Sequence, residues 1–236
     1  MNLPVGLKKL EAEIFSMTGD KGLRFTALTL CALLFLVYSL QVFYNLELAY
    51  RPGVEYYKFI TSIFAHSGLE HLLNNIFFLG LFGTIFEMHT DSRTFLMTFF
   101  VSGLLAKLTA FVFYPETFIL GASAGAMGVL AALAVYRPNQ IGIGLGVPMP
   151  MWAVLVVYIF IDTVGIGGAN SVANEAHLAG LLVGAVTGYG LRDKEYNLKK
   201  SYGKKKDQRE EKNESNDLEI ENWEERIREW EEKWMK

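Results

Sequence analysis

Apolar runs broken by short polar turns fill most of the first 191 residues. Crossing ~30 Å of hydrocarbon as a helix takes about 20 apolar residues. Residues 25–44 meet that requirement without a charge. Residues 72–86 predict a second helix, which begins next to His71 and closes at Glu87. A third covers 94–113 and carries Lys107 in its interior. Residues 122–136, rich in Ala and Gly, predict a short fourth helix, and 151–164 and 176–191 a fifth and a sixth.

The connections differ in length and character. Residues 47–70 form a long polar loop holding Glu47, Arg51, Pro52, Glu55 and Lys58. Turns are predicted at 89–93, at 114–116 and at 165–170, and a glycine-rich link runs from Arg137 to Gly146. Beyond residue 191 the pattern reverses and almost every position is polar. Trp223, Ile227, Trp230 and Trp234 recur there at helical spacing among glutamates, predicting an amphipathic helix over about 218–235. Such a helix serves as an interfacial anchor or partner-binding surface, or packs on the protein's own cytoplasmic face. Its acidic polar side opposes strong binding to anionic lipid. The expected organisation is an N-terminal segment (1–24), a membrane domain (25–191) and a charged tail (192–236).

Composition sharpens this picture. Apolar residues make up 51% of the 236-residue chain, although the tail contributes few of them. That content, with long charge-free runs, points to a polytopic all-α membrane protein. The net charge of −3 sums a basic and an acidic segment and says little as a total. The single cysteine, Cys31, excludes an intrachain disulfide or a cysteine metal cluster. Residues 1–24 mix both charge signs without an apolar core, so no cleavable signal peptide is expected there. No nucleic-acid module, phosphate-binding loop or metal motif is visible, and no cofactor is expected.

Lysine and arginine placement sets the expected orientation. With the N-terminus cytoplasmic, Lys8, Lys9, Lys21, Arg24, Arg93, Arg137 and the basic start of the tail lie inside. Only Arg51 and Lys58 then lie outside, so both termini are expected in the cytoplasm. This orientation brings the loop 47–70 and the starts of the fourth and sixth helices to the outer face.

Polar residues inside membrane spans are costly and point to function. Ser123, in Gly121-Ala122-Ser123-Ala124-Gly125, opens the fourth helix. A serine there either caps a free N–H of the first turn or acts as a nucleophile beside N–H groups able to receive an oxyanion. His177 opens the sixth helix and shares a face with Gly180, Gly184 and Gly188. Such a small-residue ridge lets a neighbouring helix approach to backbone contact. If that neighbour is the fourth helix, Ser123 and His177 meet at similar depth. His71 and Asn75 head the second helix four residues apart and point the same way. They suit oxyanion stabilisation, or else satisfy loop carbonyls at the interface. His66, earlier in the loop, reads as structural.

The order His71-x-x-x-Asn75, then Gly121-x-Ser123, then Ala176-His177-x-x-Gly180, resembles the rhomboid family of intramembrane proteases over about residues 50–191. The resemblance implies a six-helix bundle in which Ser123 attacks a peptide carbonyl and His177 takes its proton, with no third acidic residue required. It implies that His71, Asn75 and the Ser123 backbone N–H hold the oxyanion, and that Gly121 and Gly180 support the site. It further implies that loop 47–70 dips into the membrane, that Glu87 ties the second helix to that loop, and that the fifth helix, with Trp152 near its inner end, moves sideways to admit substrate. Transmembrane proteins in a plasma membrane bilayer are the implied partners, cut beside small residues. Two positions depart from the family pattern. Ala124 replaces the usual glycine after the serine, and its methyl restricts φ; Met127 replaces an aromatic with a thioether.

Two other classes compete. A rhomboid-like protein that binds clients without cutting them generally lacks the serine or the histidine, and this chain keeps both. A small-solute transporter would use Lys107 and Asp162 as an ion relay, but the sequence has no inverted repeat or paired broken helices. Lys107 is expected to snorkel or to pair with a carboxylate.

Overall fold

In hydrocarbon the backbone has no water to bond, so an apolar run closes its hydrogen bonds on itself as a helix. The computed structural model describes residues 8, 9, 12, 25–166 and 171–234. Its helices are α1 (Thr26–Tyr44), a single-turn α2 (Lys58–Thr61), α3 (Leu69–His89), α4 (Ser92–Phe113), α5 (Ser123–Tyr136), α6 (Met151–Gly165) and α7 (Ser171–Trp234). α1, α3 and α4 are long and apolar enough to cross a membrane, and α5 and α6 are shorter apolar helices. Phe43, Val112 and Phe160 are more than two-thirds exposed, as side chains facing lipid would be. The chain is a polytopic helical bundle. It divides into two compact units, Thr18–Asp193 on one hand and Met1–Met17 with Lys194–Lys236 on the other.

Within the first unit, α5 is the central element. Every residue of it except Ser123 and Val135 is buried. Its 14 residues rise only about 21 Å, too short for a hydrocarbon core of ~30 Å. Its first residue can therefore sit below the membrane surface. The core that surrounds it is aromatic and aliphatic, with Phe82, Phe86, Phe95, Phe99, Leu130 and Leu133 fully buried.

Small residues decide how α5 meets its neighbours. A Cβ added to Gly180 would fall on the Ala124 carbonyl, one on Gly184 on the Gly128 carbonyl, and one on Gly188 on the Ala132 carbonyl. The two helices therefore touch backbone to backbone over three successive turns. On the opposite flank, a Cβ on Gly125 would lie 2.7 Å from the Phe99 carbonyl oxygen of α4. Close approach of this kind increases dispersion contact, which holds helices together where no hydrophobic drive exists.

Three local features depart from the sequence expectation. The link after Arg137 contains a hairpin, β1 (Ile141–Gly144) and β2 (Val147–Pro150), paired antiparallel from Ile141↔Pro150 to Gly144↔Val147. Its two-residue turn puts both Leu145 (φ 51°) and Gly146 (φ 80°) in the left-handed region. Such turns favour Asn-Gly or Gly-Gly, so Leu-Gly gave no hairpin signal. α3 carries a π turn at Leu79–Gly83. The tail is helical from its start, because α7 runs unbroken from the sixth apolar segment to Trp234. With no proline and one glycine, Gly203, in residues 192–236, nothing in the sequence stops it. Ion pairs one turn apart, Lys199–Glu195 at 2.6 Å and Lys206–Glu210 at 3.8 Å, line its surface, and Trp223, Ile227 and Trp230 are at least half exposed.

Glu87 also finds partners other than those expected. The resemblance directs its carboxylate to loop 47–70. Instead, fully buried, it accepts hydrogen bonds from the Ala27 N–H (3.0 Å) and the Ser92 hydroxyl (2.6 Å). It thus fastens the end of α3 to the starts of α1 and α4. The first N–H groups of a helix have no partner of their own and favour an anion, so the start of α1 offers a carboxylate better donors than a loop does.

Gly184→Ala is expected to lower the unfolding temperature in detergent, by the equivalent of about 1–3 kcal/mol for overpacking. Gly190→Ala is expected to leave it unchanged or raise it slightly, since a Cβ there meets nothing within 4 Å.

Candidate active site

The polar loop between α1 and α3 is stitched to the bundle at three places. Gln41 and the His66 backbone exchange two hydrogen bonds, at 2.9 and 3.1 Å. Tyr50 and Ile119 exchange two more, at 3.0 and 2.8 Å. Lys107, nearly fully buried in α4, donates to the Phe59 carbonyl (3.1 Å) and to the Ser62 hydroxyl. It neither snorkels nor pairs with a carboxylate, because the loop comes down to meet it. The Ser62 carbonyl in turn accepts the Gly121 N–H at 2.8 Å. The loop, Lys107 and the turn before Ser123 therefore form one connected structure.

That turn sets the geometry of the serine. Gly121 has φ +111°, a value side chains rarely tolerate, and a Cβ there would lie 2.8–2.9 Å from the His71 ring. Glycine is required both for the backbone conformation and for the approach of His71. Ala122 occupies the cap position of α5 and makes no side-chain cap bond, and Ser123 is the first helical residue. The first bond of this helix end runs from the Ala126 N–H to the Ala122 carbonyl. The N–H groups of Ser123, Ala124 and Gly125 are thus left without helical acceptors, at the positive end of the helix dipole. Ala124 keeps an ordinary negative φ, so its methyl group strains nothing.

Ser123, His177, His71 and Asn75 all line one cavity of about 820 Å³, together with Met127 and Asp162. The paired ridges explain the depth match. Ser123 directly precedes Ala124 on α5, and His177 lies one turn before Gly180, the residue packed on Ala124. His177 directs Nδ1 to Asp162 Oδ1 at 3.1 Å, with side-chain exposures of 18% and 5%. His71 Nδ1 lies 3.1 Å from the Ser67 hydroxyl; if Ser67 donates there, Nε2 carries the proton and faces Gly121. Asn75 is buried and donates one amide hydrogen to the His71 carbonyl at 2.8 Å, leaving its second free. Among the described residues no three His, Cys, Asp or Glu side chains cluster as metal ligands.

A bundle whose central short helix begins with a serine, recessed in a polar cavity opposite a histidine, has a match among known families. Residues 53–194, more than half of the chain, fit the family model described as Rhomboid domain. The chain belongs to the rhomboid family. It is 29% identical over 133 residues to the rhomboid protease GluP of Bacillus subtilis, covering 55% of this chain and 25% of that protein. RHOMBOID-like protein 6, mitochondrial, of Arabidopsis thaliana is 26% identical over 141 residues, covering 59% and 45%. The rhomboid protease GlpG of Salmonella paratyphi A is 31% identical over 137 residues, covering 55% and 46%. The chain spans less than half the length of each of these relatives.

Two residues beside the candidate site were not visible in the sequence. Asp162 lies 15 residues from His177 on another helix, and the sequence offered it only as a relay partner for Lys107. Ser67 carried no signal beyond its spacing of four from His71. His66 meets the His71 ring edge-on, with centroids 5.0 Å apart.

Burial, followed by the neighbouring His71, pushes the His66 imidazole down to about 4. The unfolded chain takes up this proton near pH 6.5 while the folded chain does not. Stability is therefore complete above that pH and is lost as the pH falls toward 4. Unfolding followed between pH 4 and 7.5 is expected to show this loss, and His66→Gln is expected to remove part of it.

Proposed function

We propose that this rhomboid chain is a membrane-embedded serine endopeptidase that cuts transmembrane proteins near the outer face. One observation carries the reading: the backbone contact between α5 and α7 holds Ser123 and His177 in the same recessed polar cavity. Ser123 Oγ attacks the scissile carbonyl carbon while His177 Nε2 takes the hydroxyl proton. The oxyanion that forms accepts hydrogen bonds from the Ser123 N–H, His71 and Asn75. Collapse of this intermediate breaks the C–N bond, and His177 returns the proton to the departing amine. Water, deprotonated by His177, then attacks the acyl-enzyme ester. Ser123 leaves with the proton, and the free carboxylate and enzyme result.

The substrate class follows from the site's position. A peptide bond inside a helix is sequestered in the hydrogen-bonded backbone, so the substrate's transmembrane helix must unwind to enter the cavity. Chains with small residues before the cut fit best beside Ala124 and Met127. The placement of Lys and Arg supports cytoplasmic termini, with the cavity opening outward, and the minimal six-helix layout suits a plasma membrane.

Purified protein in liposomes is expected to cleave a transmembrane reporter, with Ser123→Ala and His177→Ala reduced roughly 10³-fold or more while keeping the wild-type unfolding temperature. His71→Ala and Asn75→Ala are each expected to lower kcat by roughly 10- to 10³-fold, as losses of oxyanion donors do. Equal behaviour of all these proteins, whether cutting or inert, would reject the assignment and favour client binding without cleavage.

A further inference from the structure

We propose that Asp162 is a positioning residue for His177, orienting the base of the Ser123–His177 dyad from a third helix. The inference rests on the serine protease reading above. Three observations carry it. His177 Nδ1 and Asp162 Oδ1 are 3.1 Å apart. Asp162 is 4% exposed, and its second oxygen, Oδ2, has no hydrogen-bond partner among the described residues. Its helix, α6, is neither the serine helix nor the histidine helix.

A buried carboxylate with one oxygen unpaired is costly, and the cost persists where something depends on the charge. The imidazole is what faces it. An acceptor at Nδ1 fixes the tautomer that carries its proton on Nδ1, which leaves the Nε2 lone pair free for the serine hydroxyl. When Nε2 takes that proton, the ring becomes positive and the adjacent carboxylate stabilises it. The rest of the cavity supplies no substitute. His71 lines the same cavity, but its Nδ1 is turned to the Ser67 hydroxyl at 3.1 Å. Lys107 is held by the loop oxygens of Phe59 and Ser62, and Glu175 bonds the Tyr114 hydroxyl at 2.7 Å. Tyr158, one turn before Asp162, lines the same cavity.

The test uses the full chain in detergent, with Asp162→Asn, Asp162→Ala and Asp162→Glu beside Ser123→Ala. Titration with a fluorophosphonate counts reactive Ser123, so each rate is read per competent site even where yield falls. Asp162→Asn and Asp162→Ala are expected to lower kcat and the phosphonylation rate by roughly 10- to 10³-fold, with KM within about threefold. Asp162→Glu is expected to recover part of the rate. The low-field Nδ1 proton resonance, present in Ser123→Ala, is expected to vanish in Ser123→Ala/Asp162→Asn. Unchanged kcat and a retained Nδ1 proton resonance in the Asp162→Asn proteins, with Ser123→Ala inactive, would overturn the positioning role alone. Activity in Ser123→Ala would remove the serine reading and this inference with it.

Discussion

The backbone contact between α5 and α7 is the constraint on which the rest of the membrane domain depends. Three glycines on α7 face three carbonyls on α5, so the helices meet backbone to backbone at each of them. In lipid, two helices gain little by leaving hydrocarbon for each other, so their association depends on how closely the atoms meet. A single added methyl at this seam meets a carbonyl oxygen and not a flexible side chain. The seam therefore has one register, and that register sets Ser123 level with the turn that carries His177.

A second constraint is water. Six apolar helices make a dry core, yet the bundle holds a cavity that polar side chains also line. The loop between α1 and α3 contributes Ser67 to the cavity wall and supplies the acceptors for Lys107, which lines it too. Lys107 is the centre of this arrangement, since its buried ammonium bonds loop oxygens while the Ser62 carbonyl receives the Gly121 N–H. Burying that charge without partners would cost several kcal/mol, so the loop cannot detach without penalty. The shape of the turn before Ser123 is in this way linked to a residue in the middle of α4. Glu87 plays the corresponding part at the other end of α3, joining three helix ends through one carboxylate.

The family motifs around Ser123 and His177 gain their meaning from these constraints. A serine followed by small residues, or a histidine before a glycine ridge, is ordinary in membrane helices. Their combination across a backbone seam, with His71 held against a left-handed Gly121, gathers Ser123, His177, His71 and Asn75 around one cavity. Ala124 and Met127 fit this arrangement, the first without backbone strain and the second as a wall of the cavity.

Much of the molecule was legible in one dimension. Hydrophobic runs marked all six helices, because in lipid the span length and the helical period are imposed by the solvent. The ridge Gly180, Gly184, Gly188 announced its partner helix, since only another small-residue face can approach it. Other features depended on tertiary structure. Leu145 takes a left-handed conformation that its residue type does not advertise, so the hairpin was hidden. Glu87 and Lys107 carried charges whose partners lie 60 and about 45 residues away. Asp162 met His177 only when α6 and α7 closed around the cavity. Sequence by itself determined the spans, the seam and the residue types of the site, because local chemistry fixes those. Which buried charge meets which partner was decided by the folded bundle, because electrostatic pairing depends on distance in space and not along the chain.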